Sequence, residues 1–256
     1  MSARWFAAAD LGASSGRVIL GRLEDGRFEL TQTARFENGP VDGTDGCIHT
    51  DAPRLFADVR AGLDAAIEAS GGALESVGVD TWGVDYGRLD ASGELLELPF
   101  HYRDDRTQGV PEEVFADLPA ADLYAAAGLQ VMNFNTIFQL VASAGDPRWD
   151  TVDSVLLTPD LMAYWLSGTG IAEMTIASTT GLLDVAARTW SRAACEHLQR
   201  RYGLPLDRVL PPLVEPGTVL GPTRDGLLAR RLEVIAVGGH DTASAVAAVP
   251  ATSTDF

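Results

Sequence analysis

The stretch Asp10-Leu11-Gly12-Ala13-Ser14-Ser15-Gly16-Arg17 limits what this chain can fold into more than any other. Its small residues are confined between two apolar runs, Trp5-Phe6-Ala7-Ala8-Ala9 before them and Val18-Ile19-Leu20 after them. Both runs read as strands joined by a turn. Gly12 and Gly16 are expected to supply backbone conformations closed to other residues and to let a ligand approach the main chain. The backbone N–H groups and the hydroxyls of Ser14 and Ser15 are donors that suit a phosphate, and Asp10 at the strand end suits a divalent cation. A strand after the glycines counts against two other turns. A dinucleotide fold uses G-x-G-x-x-G to open a helix. The hydrolase elbow G-x-S-x-G, which residues 12–16 match in spelling, also leads into a helix. A plain hairpin turn remains the alternative to a phosphate site, and spacing alone does not separate the two.

The basic residues narrow the chemistry. All 19 of Lys plus Arg are Arg. A chain without lysine is neither a P-loop NTPase with a Walker lysine nor a Schiff-base or PLP enzyme of the usual kind. It also lacks the lysine that protein kinases set on their phosphates. A formal charge of −17 argues against nucleic acid or an anionic membrane as the main partner, while a local donor cluster can still take an anionic nucleotide. No apolar run is long enough to cross a bilayer. Met1-Ser2-Ala3-Arg4 leads straight into a strand pattern with no room for a signal peptide, and Cys47 and Cys195 read as unpaired thiols. These features predict a cytoplasmic protein.

Strand-like runs cover Arg4–Leu11 and about 17–23 and 27–36, the last two joined by Glu24-Asp25-Gly26, whose Asp-Gly pair signals a hairpin. A helix follows, with Thr50 or Asp51 as N-cap, Pro53 in its first turn, Leu55, Val59, Leu63 and Ile67 on one face, and Gly71-Gly72 as its stop. A buried strand is expected over 76–81, mainly helix over 111–143 and 161–166, helix over 191–202, and irregular proline-rich surface over 205–222. The chain then reads as strand over 232–237, a turn at Gly238-Gly239-His240-Asp241, and a helix of small residues over 242–249. An antiparallel meander, a crossover helix and then further strands with helices is the order of an α/β ribonuclease H-like (actin-like ATPase) domain, with a mixed sheet and flanking helices.

Three further constellations carry possible chemistry. Asp241 precedes a helix, where it is either an N-cap or an ionised general base for a sugar hydroxyl. His240 beside it touches substrate or satisfies a loop. Asp80-Thr81-Trp82-Gly83-Val84-Asp85 puts two acids around an aromatic and a glycine. Trp82 there either stacks on a sugar or packs in the core, and Gly83 lets a ligand touch backbone. Arg103-Asp104-Asp105-Arg106 suits polyol hydroxyls or a phosphate, or is a solvated charge run. The four histidines and two cysteines show no zinc spacing.

Taken together, these stretches resemble the FGGY carbohydrate kinases, and within them the branch that phosphorylates L-rhamnulose. The matching segments are residues 10–17, 80–85, Tyr102-Arg103-Asp104-Asp105-Arg106-Thr107, Phe134-Asn135-Thr136 with Gln139-Leu140, and His240-Asp241-Thr242-Ala243-Ser244-Ala245-Val246. They span nearly the whole chain, in the family's order. The resemblance implies ATP-dependent phosphorylation of L-rhamnulose at its 1-hydroxyl, with L-fuculose or L-xylulose as other ketoses of the family. It carries over Ala13, Ser14, Ser15, Gly16 and Arg17 as the ATP-phosphate turn, Gly83, His240, Asp241 and Thr242 as sugar contacts, and Asp241 as the proton acceptor. Asp10 carries over as a Mg²⁺-associated acid of the actin-like fold. The family has two actin-like lobes. Residues 1–240 are expected to form the first, and 241–256 the start of the connection to a second lobe that this sequence lacks. That lobe, with its adenine site, is the expected partner, alongside a second copy of this chain. Without it the chain is expected to be a sugar-binding half-enzyme.

Overall fold

The computed structural model describes residues 3–253. Met1 and Ser2, and residues 254–256 at the end of the expected connection, lie outside the described residues. The opening meander forms as expected. Strands β1 (Arg4–Leu11), β2 (Ser15–Glu24) and β3 (Arg27–Glu37) pair antiparallel in succession. Asp25 and Gly26 both have positive φ, the signature of the two-residue hairpin turn that matches strand twist.

Helix α1 (Ala52–Ala69) follows, capped by Asp51, whose carboxylate accepts the Arg54 N–H at 3.1 Å. Its buried face, Leu55, Val59, Leu63, Ala66 and Ile67, packs on the sheet. The chain then enters the strand Leu74–Thr81, which lies beside β1 in parallel, with Glu233–Ala236 parallel on its far side. The six-stranded sheet runs Thr218–Pro222, Glu233–Ala236, Leu74–Thr81, β1, β2, β3. The sheet is mixed and carries helices, as an actin-like α/β domain requires.

The region 205–222 departs from its expected irregularity. Thr218–Pro222 is the sheet's antiparallel edge strand, and an edge tolerates the missing N–H of Pro222. A second apolar cluster surrounds the helix Thr136–Ala142 and includes Ile137, Phe138, Leu140, Ile176 and Leu198. Both cysteines are free. Among the described residues no helix is long and apolar enough to cross a membrane.

Candidate active site

Three parallel strands end at the same side of the sheet, and ligands of open α/β sheets bind outside such carboxyl ends. Each end delivers an acid. Asp10 lies one residue from the end of β1, and Asp80 is its registered partner on Leu74–Thr81, so the two side chains project from the same face. The third strand continues past Ala236, and His240 bridges Thr81 in parallel, which sets Asp241 just beyond. Asp10, Arg17, Asp80, Asp241 and Thr242 line one cleft of about 510 Å³. Arg17 pairs with Asp10 at 2.7 Å. Burial, then the charges of Asp10 and Asp241, push the Asp80 carboxyl up to about 7, with Arg17 pulling the other way.

The glycine-serine turn is tied down rather than open. Gly12 N–H donates to Ser15 O at 3.0 Å, and Asn38 donates through Nδ2 to Gly12 O and through its backbone N–H to Ser14 O. Ser15 and Gly16 already belong to β2. Neither Gly12 nor Gly16 has positive φ, so the expected special conformation is absent. Gly16 is required by space instead, because a Cβ there would run into the Phe36 ring. Ser15 Oγ accepts from Arg35 at 3.3 Å. Ala13, Ser14, Ser15 and Gly16 thus sit at the tip of the β1–β2 hairpin, and Arg17 turns into the cleft.

Beside the cleft lies a pocket of about 310 Å³, walled by Trp82, Gly83, Tyr102, Phe134, Thr179 and His240 among others. Its floor is a strained turn. Val84 has φ of 73°, and Asp85 N–H donates to Gly83 O at 3.0 Å, which makes residues 83–85 a γ-turn of the rare positive-φ kind. Three side chains pin it: Thr179 Oγ1 accepts the Val84 N–H at 3.1 Å, while Thr136 Oγ1 and Gln139 Nε2 donate to Val84 O. Asp85 beneath is 1% exposed and accepts from Trp82 Nε1, Gln139 Nε2 and Tyr102 N–H. Burial pushes its carboxyl up to about 7 against the pull of those donors. His101, stacked on Tyr102 at 4.5 Å, is held at about 4 by burial and by Arg103.

The structure sorts the sequence candidates. Gly83 and His240 reach the pocket, while Asp241 and Thr242 reach the cleft. His240 Nε2 stands 3.6 Å from Asp241, at the seam between them. Asp241 is not an N-cap. It is the first residue of the helix Asp241–Ala247, and its Oδ1 accepts from Thr242 N–H at 2.6 Å and Thr242 Oγ1 at 3.0 Å. Trp82 both packs in the core and walls the pocket. Arg106 belongs to neither expected role, since its guanidinium lies over Phe100 and donates to Gln139. Asp104 likewise accepts from Ile48 and Arg106 N–H groups inside the fold.

Sequence reasoning passed over the segment that holds the site in place. Glu173, 1% exposed, accepts N–H groups of Thr175, Ile176 and Gly239 and the Thr175 hydroxyl. Thr175 Oγ1 in turn accepts the His240 N–H at 3.2 Å. Nothing in the pattern Ala172-Glu173-Met174-Thr175 marks this role, because the bonds that tie it to the site, from Gly239 to Glu173 and from His240 to Thr175, reach some 65 residues on. Asp80 carried a signal in its strand-end position, readable only once its register with Asp10 is known.

A sequence model described as the N-terminal domain of the FGGY family of carbohydrate kinases matches residues 6–248. The chain belongs to that family. It is 38% identical to a rhamnulokinase of Bacteroides thetaiotaomicron over 98% of this chain and 52% of that protein. A rhamnulokinase of Pectobacterium atrosepticum is 40% identical over 100% of the chain and 51% of its own length. This FGGY chain therefore spans about half the length of the curated relatives it matches. The structure of a gluconate kinase from Lactobacillus acidophilus superimposes with a TM-score of 0.80 at 15% identity, covering 93% of this chain and 49% of that one, and shows the shared fold.

Proposed function

We propose that this chain is the sugar-binding half of an ATP-dependent ketose kinase that converts L-rhamnulose and ATP to L-rhamnulose 1-phosphate and ADP in the cytoplasm. One observation carries the reading: Asp241 stands at the seam between an aromatic pocket and an acidic cleft, next to His240, which lines the pocket. A ketose held by Gly83 and His240 presents its 1-hydroxyl to the Asp241 carboxylate, which orients it and takes its proton as the oxygen attacks phosphorus. Thr242 keeps that carboxylate in place through its N–H and hydroxyl. The rhamnulokinase relatives support L-rhamnulose over L-fuculose or L-xylulose as the ketose.

The hairpin tip formed by Ala13, Ser14, Ser15 and Gly16, with Arg17, faces the phosphates of ATP. Hard carboxylate oxygens suit Mg²⁺, which takes one or two carboxylates and fills the rest of its shell with water and phosphate. Asp10, with Asp80 beside it, would hold the ion, and the bound ion would offset phosphate charge. The remainder of the nucleotide site falls to a C-terminal lobe of the kind that makes up the other half of the relatives. The connection to it begins within 241–256. On its own the chain binds ketose and transfers nothing.

The test joins this chain to the C-terminal half of a rhamnulokinase and compares Asp241 with Asp241→Asn. General-base removal is worth about 10²–10⁴ in rate. The variant is expected to lose at least a hundredfold in phosphoryl transfer while binding L-rhamnulose within about threefold of the parent. Near-normal turnover would remove Asp241 from the base role.

A further inference from the structure

The helix Asp241–Ala247 buries none of its side chains, so packing does not set where its first residue stands. The turn before it does. The peptide between Gly239 and His240 is held at both ends: Gly239 O accepts Thr81 N–H at 2.9 Å, and His240 N–H donates to Thr175 Oγ1 at 3.2 Å. Gly239 N–H donates to Glu173 Oε2 at 2.9 Å. The Thr175 hydroxyl donates to the same Glu173 oxygen at 2.6 Å, which leaves its lone pairs for His240. Glu173 receives donors only, so it acts as a carboxylate.

Behind Glu173 stands a second acid, Asp160, outside both the cleft and the pocket. It lies in the first turn of the helix Thr158–Ser167, is 2% exposed, and does not cap its own helix. Its Oδ1 accepts Glu173 N–H at 3.1 Å, and its Oδ2 has no hydrogen-bond partner. Burial raises this carboxyl well above its ordinary range, against the pull of the Glu173 N–H, and the Glu173 charge adds to the rise. Asp160 is therefore a neutral acceptor that fixes Glu173 without adding a second buried charge. We propose that Asp160, acting through Glu173 and Thr175, is a positioning residue that sets where the Asp241 carboxylate stands. This rests on Asp241 being the base. A base misplaced by about 1 Å loses up to about 10²-fold in rate. The ketose pocket, walled by other elements, keeps its ligand.

Three variants test the proposal. Asp160→Asn keeps a neutral acceptor, Asp160→Leu removes it at similar volume, and Thr175→Val removes the hydroxyl between Glu173 and His240. In this chain, hydrogen exchange reads the turn directly. The His240 amide should lose at least about tenfold in protection in Thr175→Val and Asp160→Leu, and match the parent in Asp160→Asn. In the chain joined to the C-terminal half of a rhamnulokinase, kcat should fall about 10–100-fold in Thr175→Val and Asp160→Leu, with KM for L-rhamnulose within about threefold and Asp160→Asn near the parent. A merely structural part would lower the unfolding midpoint and leave kcat of the folded protein unchanged. Should Asp160→Leu not fold, Thr175→Val and Asp160→Asn decide. Parental protection and kcat in Thr175→Val, or a loss of about tenfold in kcat in Asp160→Asn, overturns the proposal and leaves Asp241 as the base. A fully active Asp241→Asn removes the base reading and this proposal with it.

Discussion

Replacing Asp80 with Asn should make the protein more stable at neutral pH. The Asp80 carboxyl is half-buried, and it faces Asp10 and Asp241 across the cleft. Burial and those two charges raise it from its ordinary 3.8 to about 7. A raised carboxyl means that the folded chain holds a proton which the unfolded chain releases. Below about pH 4 both states are protonated and Asp80 costs nothing. Between about 4 and 7 the unfolded state is ionised alone, so stability falls as pH rises, and above about 7 the full penalty applies. A displacement of that size corresponds to about 4 kcal/mol at about 1.4 kcal/mol per pH unit, and screening in a solvent-open cleft reduces it to about 2 kcal/mol. Asn keeps the volume and removes the charge. At pH 8 the variant should gain about 2 kcal/mol, roughly 4–8 °C in Tm for a chain of this length. Near pH 4 it should match the parent. Urea and thermal unfolding at pH 4, 6 and 8 read the difference directly. Parallel stability-versus-pH curves for parent and variant would refute the reasoning, since Asp80 would then ionise alike in both states. A gain on losing an acid is what a site that keeps like charges together for function predicts.

Two further substitutions probe the scaffold of the site. Glu173→Ala leaves the Gly239, Thr175 and Ile176 N–H groups without their acceptor in the interior, so stability should drop by about 2–4 kcal/mol in urea, with Glu173→Gln in between; equal midpoints for all three proteins would deny Glu173 its anchoring role. At Val84 the usual order of Ala and Gly should invert. Both variants lose the buried isopropyl group, but only Gly relieves the positive φ, so Val84→Gly should exceed Val84→Ala by about 1 kcal/mol in the same assay.

What was legible in the sequence had local causes. The β1–β2–β3 meander, the Asp-Gly hairpin and the α1 face follow from strand runs, turn chemistry and helical spacing within a few dozen residues. The Asp241 turn was visible for the same reason, although its helix starts one residue sooner than an N-cap role would have it. The glycines of residues 12–16 pointed to the right turn for the wrong reason, because Phe36, 20 residues past Gly16, decides that position by space. The edge strand Thr218–Pro222 was hidden by the prolines that precede it and by Pro222 at its end, and exists through its pairing with Glu233–Ala236. Glu173 and Thr179 were illegible. Each acts through partners far along the chain, Gly239 for one and Val84 for the other, and neither sits in a pattern that signals it.

The central claim is that the carboxyl ends of three parallel strands in this chain build a ketose site next to Asp241. Backbone amide NMR of the chain titrated with L-rhamnulose tests it most directly. The account predicts that shifts concentrate at Gly83, Val84, Asn135, His240 and Asp241, with Phe28 on β3 and Cys195 unmoved. Shifts spread over the surface, or centred away from Gly83 and His240, would contradict it.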